Sequence, residues 1–252
     1  MDVHAYNSAA WDKQVANGNP WTQPVSPEVI AEARAGRWSV LLIERRSVPA
    51  EWFPPLAGLD ILCLACGGGQ QGPIFAAAGA RVTVLDASPA QLGQDRLVAE
   101  REGLDLRLVQ GDMRDLSAFA DQSFDLVFHP VSNVFCPDIM PVWREVYRVL
   151  RPGGRLLAGF NNPAVYLFDD QPEPDGQFRL KHRLPFAATD DPEAWRAQFG
   201  DDAPLEFSHS LTTQIGGQLA AGLVLTDLHE CGAYGPLAEW MPIYIATMAR
   251  RP

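Results

Sequence analysis

The stretch "LCLACGGGQQG", residues 62–72, decides how the rest of the chain is read. Gly67, Gly69 and Gly72 satisfy G-x-G-x-x-G, the spacing at which a strand turns into a helix around a nucleotide. Glycines after a strand let a ligand approach the backbone, and the following helix offers its N–H groups. The same run holds Cys63 and Cys66 at C-x-x-C spacing. A pyrophosphate, a metal ion and another adenosine-containing molecule therefore compete for it. A zinc site needs four ligands, and no second C-x-x-C or nearby histidine pair supplies the other two. A thioredoxin-type pair sits at a helix N-terminus, whereas Cys63 falls inside an expected strand. The four cysteines, Cys63, Cys66, Cys136 and Cys231, read as reduced thiols, and no metal is expected.

Outward from this run, short apolar stretches alternate with amphipathic ones, the pattern of an α/β fold with helices packed on a parallel sheet. Strands are expected at "DILCLA" (60–65), "ARVTVLD" (80–86), "LDLRLVQ" (104–110), "FDLVFH" (124–129) and "RLLAGF" (155–160). "VLTDLHE" (224–230) and "PIYIATMAR" (242–250) follow nearer the C-terminus. "SPAQLGQDRLVAERE" (88–102) predicts a helix with Ser88 as N-cap, Pro89 at N1, Gln91 completing a capping box and Gly103 closing it. "DIMPVWREVYRVL" (138–150) places Ile139, Val142, Val146, Val149 and Leu150 on one helical face. "LTTQIGGQLAAGL" (211–223) predicts a helix despite Gly216 and Gly217. Residues 1–55 read as an irregular, aromatic-rich N-terminal cap with one short helix at "SPEVIAEARAG" (26–36). Residues 56–252 read as the main domain, and 163–210, rich in proline, as an inserted cap or hairpin.

Asp86 ends the second strand 19 residues after Gly67. A carboxylate there can accept both hydroxyls of a ribose, which suits NAD and any other adenosine ligand. Asp112 lies just past the third strand, where a carboxylate can accept from an adenine amino group and the Met113 N–H can meet a ring nitrogen.

At these residues a family resemblance becomes specific. "ILCLACGGG" (61–69), "VLDAS" (84–88), "GDMRDL" (111–116), "FDLVFHPVSNV" (124–134) and "WREVYRVLRPGGRLLAGF" (143–160) occur in order and at correct spacing. Together they resemble the motifs of class I S-adenosylmethionine-dependent methyltransferases. The resemblance implies a Rossmann-like seven-stranded, mostly parallel sheet with helices on both faces and the last strand antiparallel. It implies S-adenosylmethionine as cofactor and S-adenosylhomocysteine as product, held by Ala65, Cys66, Gly67, Gly69, Gln71, Asp86, Ala87, Asp112, Met113 and the backbone of His129. Two residues depart from the pattern. Cys63 stands where the family has an acid, so Gln70 and Gln71 are the nearby polar groups for the amino-acid portion. Ala65 replaces the first glycine, which negative φ would permit.

His129 and His209 are the candidate general bases. Asn133, Asn161 and Tyr166 are expected beside the acceptor, because ligands of open α/β sheets sit at the strand carboxyl ends. Tyr6, Trp11 and Trp21 are expected in a lid over the cofactor. The acceptor is expected to be a small molecule. Two other readings fit part of the pattern. A catalytically silent S-adenosylmethionine-binding protein would explain Cys63, and an NAD-dependent oxidoreductase would explain the glycines and Asp86 but not "GDMRDL" or "LRPGG". The net charge of −11 argues against a nucleic-acid partner. No secretory signal and no apolar run long enough to span a bilayer is seen, so the expected location is cytoplasmic. The sequence carries no signature of oligomeric state.

Overall fold

A computed structural model describes residues 1–43, 46–169, 171–232 and 235–252. The Asp2 carboxylate accepts the Ala5 N–H and starts α1 (Val3–Ala16), a 14-residue helix where the sequence suggested irregular chain. Its buried residues are Asn7 and Ala10, which make no apolar stripe, so periodicity does not reveal it. Polar bonds dock it instead. Asn7 Nδ2 donates to the carbonyls of Phe135 and Leu205, and its Oδ1 accepts the Leu205 N–H. Ser8 donates to the Ala87 carbonyl, and Asp12 accepts the Ser88 hydroxyl and the Ala90 N–H. A 3-10 turn at Pro20–Thr22 leads to α2 (Pro27–Arg34) and a small hairpin of β1 (Leu41–Ile43) and β2 (Arg46–Ser47).

The main sheet begins at β3 (Asp60–Leu64), followed by α3 (Gln71–Ala77), β4 (Arg81–Asp86), α4 (Pro89–Glu102), β5 (Leu106–Gln110) and β6 (Phe124–His129). Along β3, Ile61 and Cys63 enter one buried cluster with Phe75 and Phe128, while Leu62 and Leu64 enter another with Val142, Trp143 and Val146. A strand covered on both faces is apolar throughout, which is why no polar residue interrupts it. α4 is capped as expected at one end, where Ser88 Oγ accepts the Gln91 N–H. The reciprocal bond of a capping box is missing because the Ser88 N–H donates to Asp86 Oδ1.

α5 (Met140–Val149) buries Val142, Trp143, Val146 and Val149 and runs directly into β7 (Leu150–Asn161). "RPGG" is a bulge inside β7: Phe124 pairs with Leu150 and Leu126 with Arg155, so four residues stand opposite the single Asp125. Beyond β7, residues 163–210 contain a 3-10 turn at Pro163–Leu167 and α6 (Pro192–Phe199). The hairpin expected there reduces to one isolated antiparallel bridge, Ala187 to Phe207, because prolines interrupt both flanking runs. A π-type turn (Thr212–Gly216) and α7 (Gly217–Ala220) lead to β8 (Val224–Cys231) and β9 (Tyr244–Arg250).

The seven strands lie in the order β5-β4-β3-β6-β7-β9-β8. Only β9, the last strand, runs opposite to the other six. Among the described residues no helix is long and apolar enough to cross a membrane. Strand order reverses between β3 and β6, and that switch point is where α/β sheets bind ligands. The hairpin joins the same end of the sheet through a close backbone contact. A Cβ built on Gly159 of β7 would lie 2.2 Å from the Leu42 carbonyl oxygen, so only glycine lets β1 rest on β7. Gly159→Ala is expected to destabilise the protein by about 1–3 kcal/mol, as overpacking does. Urea denaturation measures this, and an unchanged midpoint would mean that the hairpin yields freely.

Candidate active site

The carboxyl ends of β3, β4, β5 and β6 open into one cavity of about 400 Å³. The peptides of Ala65–Gly67, Asp86–Ala87 and Gly111–Arg114 line its sheet side. His4, Trp11 and Trp21 cover it from the N-terminal segment. Leu41–Ile43, Asn161, Glu206 and Tyr244 close the far end.

The glycine loop is built from inward-facing hydrogen bonds. Gly67 N–H donates to Asp86 Oδ2 at 2.8 Å, while Gly68 and Gly69 N–H donate to Asp95 Oδ2 at 3.0 and 3.1 Å. Gly68 also donates to the Gln91 carbonyl. A pyrophosphate would need those N–H groups turned outward, and it would face Asp86 beside them. The loop therefore does not suit a dinucleotide. Gly69, with φ +69°, passes so close to α4 that a Cβ would fall 2.7 Å from the Gln94 carbonyl oxygen.

Ala65 adopts φ +48°, which corrects the expectation of negative φ and places a Cβ in the left-handed region. Asp86 is partly buried, and desolvation raises its pKa against the opposing pull of the Ser88 and Gly67 N–H groups. Burial likewise raises Asp95 to about 8, and its Oδ1 has no partner. Cys63 and Cys66 are buried free thiols, and a hydrogen bond with Cys63 together with burial pushes the Cys66 thiol well up.

Of the residues expected at the site, Ala65, Cys66, Gly67, Gln71, Asp86, Ala87, Asp112, Met113, Trp11, Trp21 and Asn161 line the cavity. Asp112 does so with its carboxylate already engaged, accepting from the Arg114 N–H, Nε and Nη2. Half-burial works against the Asp112 charge, yet those bonds outweigh it and hold the carboxyl below its usual value. Gly69 shapes the loop from behind, accepting the Val25 N–H at its carbonyl. Tyr6 is outside the cavity and packs on Trp195 and Phe207 in a satellite cluster. Tyr166 is behind the wall, bonded to Glu206 and Asn161.

The structure places neither candidate histidine on the cavity lining. His129 is fully buried and absent from the lining, with Nδ1 2.9 Å from the Leu64 carbonyl and Nε2 2.7 Å from Asn133 Oδ1. Asn133 is equally buried, passing the chain of bonds to Gln214 rather than meeting a ligand. His209 Nε2 faces the Asn133 and Cys136 carbonyls at 3.0 and 2.8 Å. Burial lowers the pKa of both rings. The two histidines brace the loop over residues 130–137, a task that needs buried polar side chains with two-ended bonding.

Among the lining residues that escaped sequence reasoning are His4, Gln91 and Glu206. Gln91 read as a cap, and only the loss of that bond to Asp86 turns its side chain to the cavity. His4 and Glu206 stand in no recognisable motif. His4 Nε2, Gln91 Oε1 and Asn161 Oδ1 are buried without hydrogen-bond partners. They are three of the four such side-chain atoms among the described residues, and all three belong to lining residues of this cavity. Unpaired buried polar atoms are costly and rare, so their convergence marks a place completed by a polar ligand.

Comparison with known proteins agrees with this geometry. The family described as "Methyltransferase domain" matches residues 62–158. An uncharacterized methyltransferase of Bacillus subtilis is 48% identical over 245 residues, covering 96% of each chain. A sterol 24-C-methyltransferase of Gibberella zeae is 40% identical over 100 residues, 38% of this chain and 26% of that protein. The crystal structure of an S-adenosylmethionine-dependent methyltransferase from Mesorhizobium loti shares the fold at a TM-score of 0.62 and 20% identity, covering 80% of this chain and 94% of that one.

Two substitutions test the loop. Ala65→Gly relieves the left-handed strain and is expected to stabilise the protein by about 1 kcal/mol in denaturant titrations. Asp95→Asn keeps an oxygen for Gly68 and Gly69 while removing the buried ionisation. The folded Asp95 carboxyl sits at about 8, above the roughly 3.9 of an unfolded chain. The folded state thus binds the extra proton, and stability falls as pH rises between those values. The variant's stability relative to wild type should therefore climb from pH 4 to pH 8, and a flat difference would contradict the assignment.

Proposed function

The chain belongs to the class I S-adenosylmethionine-dependent methyltransferases, and we propose that its acceptor is a small molecule held in the cavity beneath α1. The observation that carries this is the cavity's size and cover. About 400 Å³ lies at the small end of ligand sites. The N-terminal segment, the hairpin and the stretch before Phe207 all overhang it. Such a space takes a cofactor and a compact acceptor, not a duplex or a folded surface, and the charge of −11 disfavours a phosphate backbone.

S-adenosylmethionine, when bound, supplies a methyl group already activated on a positively charged sulfur. The donor set fits it. Asp86 can accept ribose hydroxyls, because a carboxylate has about four acceptor positions and two backbone N–H groups use only part of them. Gln91 Oε1 is a further acceptor on the same side. The Gly111–Met113 backbone is placed for the base, with Asp112 and Arg114 shaping that wall as an ion pair. Gln70 and Gln71 line the space near the loop. Gln70 also ties the Pro20 and Gln23 carbonyls, which links the N-terminal cover to the cofactor loop. The protein's contribution to rate is then chiefly proximity and orientation, worth about 7–11 kcal/mol in intramolecular systems.

Asp86→Asn is the informative variant, since asparagine keeps one oxygen for the loop. Loss of one charge-assisted bond, about 1.5–3 kcal/mol, should weaken S-adenosylhomocysteine at least tenfold by calorimetry, with NAD inert towards both proteins. Incubation of the wild type with methyl-labelled S-adenosylmethionine and a size-fractionated cell extract should place label in the small-molecule fraction. Label confined to macromolecules would overturn the proposal.

A further inference from the structure

The far end of the cavity holds a polar cluster that the cofactor does not require. Glu206 and Asn161 both line the cavity. Behind them the Tyr166 hydroxyl donates to Glu206 Oε2 at 2.6 Å, and Asn161 Nδ2 donates to the Tyr166 oxygen at 3.2 Å. Tyr166 is buried and its pKa is raised well above the usual value, first by desolvation and then by the Glu206 charge, so it remains a donor. It also stacks on Phe186 at 5.4 Å, which fixes the ring. Asn161 Oδ1 is left without a partner. Two acceptor groups, one of them a carboxylate, are thus oriented at one spot by a rigid tyrosine. Around them Leu41, Leu42, Ile43 and Tyr244 make an apolar collar.

From this geometry we infer that the methyl acceptor is a small molecule attacking through an N–H or O–H group, and that Glu206 is the general base which takes that proton. The inference rests on the small-molecule reading above. The unpartnered Asn161 Oδ1 selects a ligand that donates a hydrogen bond, because any other ligand leaves that buried oxygen unpaired. That oxygen and the Glu206 carboxylate also disfavour acceptors carrying a carboxylate or phosphate at this end. In the step, the lone pair of the acceptor nitrogen or oxygen forms the bond to the methyl carbon. The carbon–sulfur bond breaks, its electron pair remaining on sulfur as the neutral thioether, and the proton of the attacking group passes to the Glu206 carboxylate. Asn161 orients the acceptor through its carboxamide oxygen. Tyr166 is a positioning residue, acting only through Glu206 and Asn161. The histidines cannot replace this base, since both are bonded away from the cavity.

The test uses the full chain, methyl-labelled S-adenosylmethionine and two small-molecule pools. One contains amines, alcohols and phenols; the other contains the same compounds with each N–H and O–H capped by methyl. Label should enter the first pool only. Glu206→Gln, of equal size, should lower kcat about 10²-fold or more, the range of general-base contributions. It should also abolish the fall of kcat/KM at acid pH, which a merely structural role would not do. Asn161→Leu should raise KM several-fold with a smaller effect on kcat. The acceptor that takes label should raise the melting temperature of the wild-type complex with S-adenosylhomocysteine, and raise that of Asn161→Leu less. S-adenosylhomocysteine affinity within twofold of wild type shows that each variant is folded. Label in the capped pool, or Glu206→Gln within threefold of wild type, overturns this inference and leaves the small-molecule reading standing. Label found only in macromolecules, or no transfer to either pool, overturns both.

Discussion

Two carboxyl groups, the partly buried Asp86 and the buried Asp95, hold the turn between β3 and α3, and the cavity follows from that hold. Between them they accept the N–H groups of Gly67, Gly68, Gly69 and Ser88. The loop's donors are satisfied inside the protein, so its outer face presents carbonyls, a carboxylate edge and small side chains. That face suits a hydroxyl-rich, cationic ligand better than a polyanion. Asp95 also explains how the chain manages with Cys63 at the family's acidic position: a carboxylate reaches the loop from α4 instead of from β3. The arrangement costs stability, because burial raises both carboxyls. That cost is of the kind expected where a fold is shaped for binding rather than for its own stability.

The cover over the cavity depends on the same strand ends. Asp12 of α1 bonds to Ser88 and Ala90 at the start of α4, one residue beyond the turn that Asp86 organises. Asn7 ties α1 at once to Phe135 in the loop after β6 and to Leu205 in the inserted segment. One helix thereby joins three loops that carry lining residues, and Trp11 seals the join by meeting Phe135 edge-on at 5.1 Å. The buried chain from His129 through Asn133 to Gln214 fixes the loop after β6, so that the cover has something rigid to meet.

The central sheet and the cofactor side were legible in the sequence for physical reasons. Strands covered on both faces must be continuously apolar, α5 must show one apolar face, and a turn that brings backbone to ligand must use glycine. Asp86 was legible because its distance from Gly67 is set by one helix and one strand of regular rise. The "RPGG" bulge, the π-type turn and the left-handed Ala65 were not, because each is a local departure from regular geometry that neighbouring elements impose.

What the sequence alone determined was the family, the α/β order of elements and the carboxylates at the ends of β4 and β5. What only the tertiary structure decided was which polar residues face the cavity. α1 has no hydrophobic period, so its existence depends on partners that lie between 76 and 198 residues away in the chain. His129 and His209 looked like bases because histidine often is one, and only packing shows both buried against backbone carbonyls, off the cavity lining. Glu206 looked like nothing, since a glutamate between Leu205 and Phe207 has no signature. It reaches the cavity only when the inserted segment folds back to bring it beside Tyr166 and Asn161. Local patterning encodes burial and backbone direction, whereas the meeting of three side chains from separate segments is a property of packing alone.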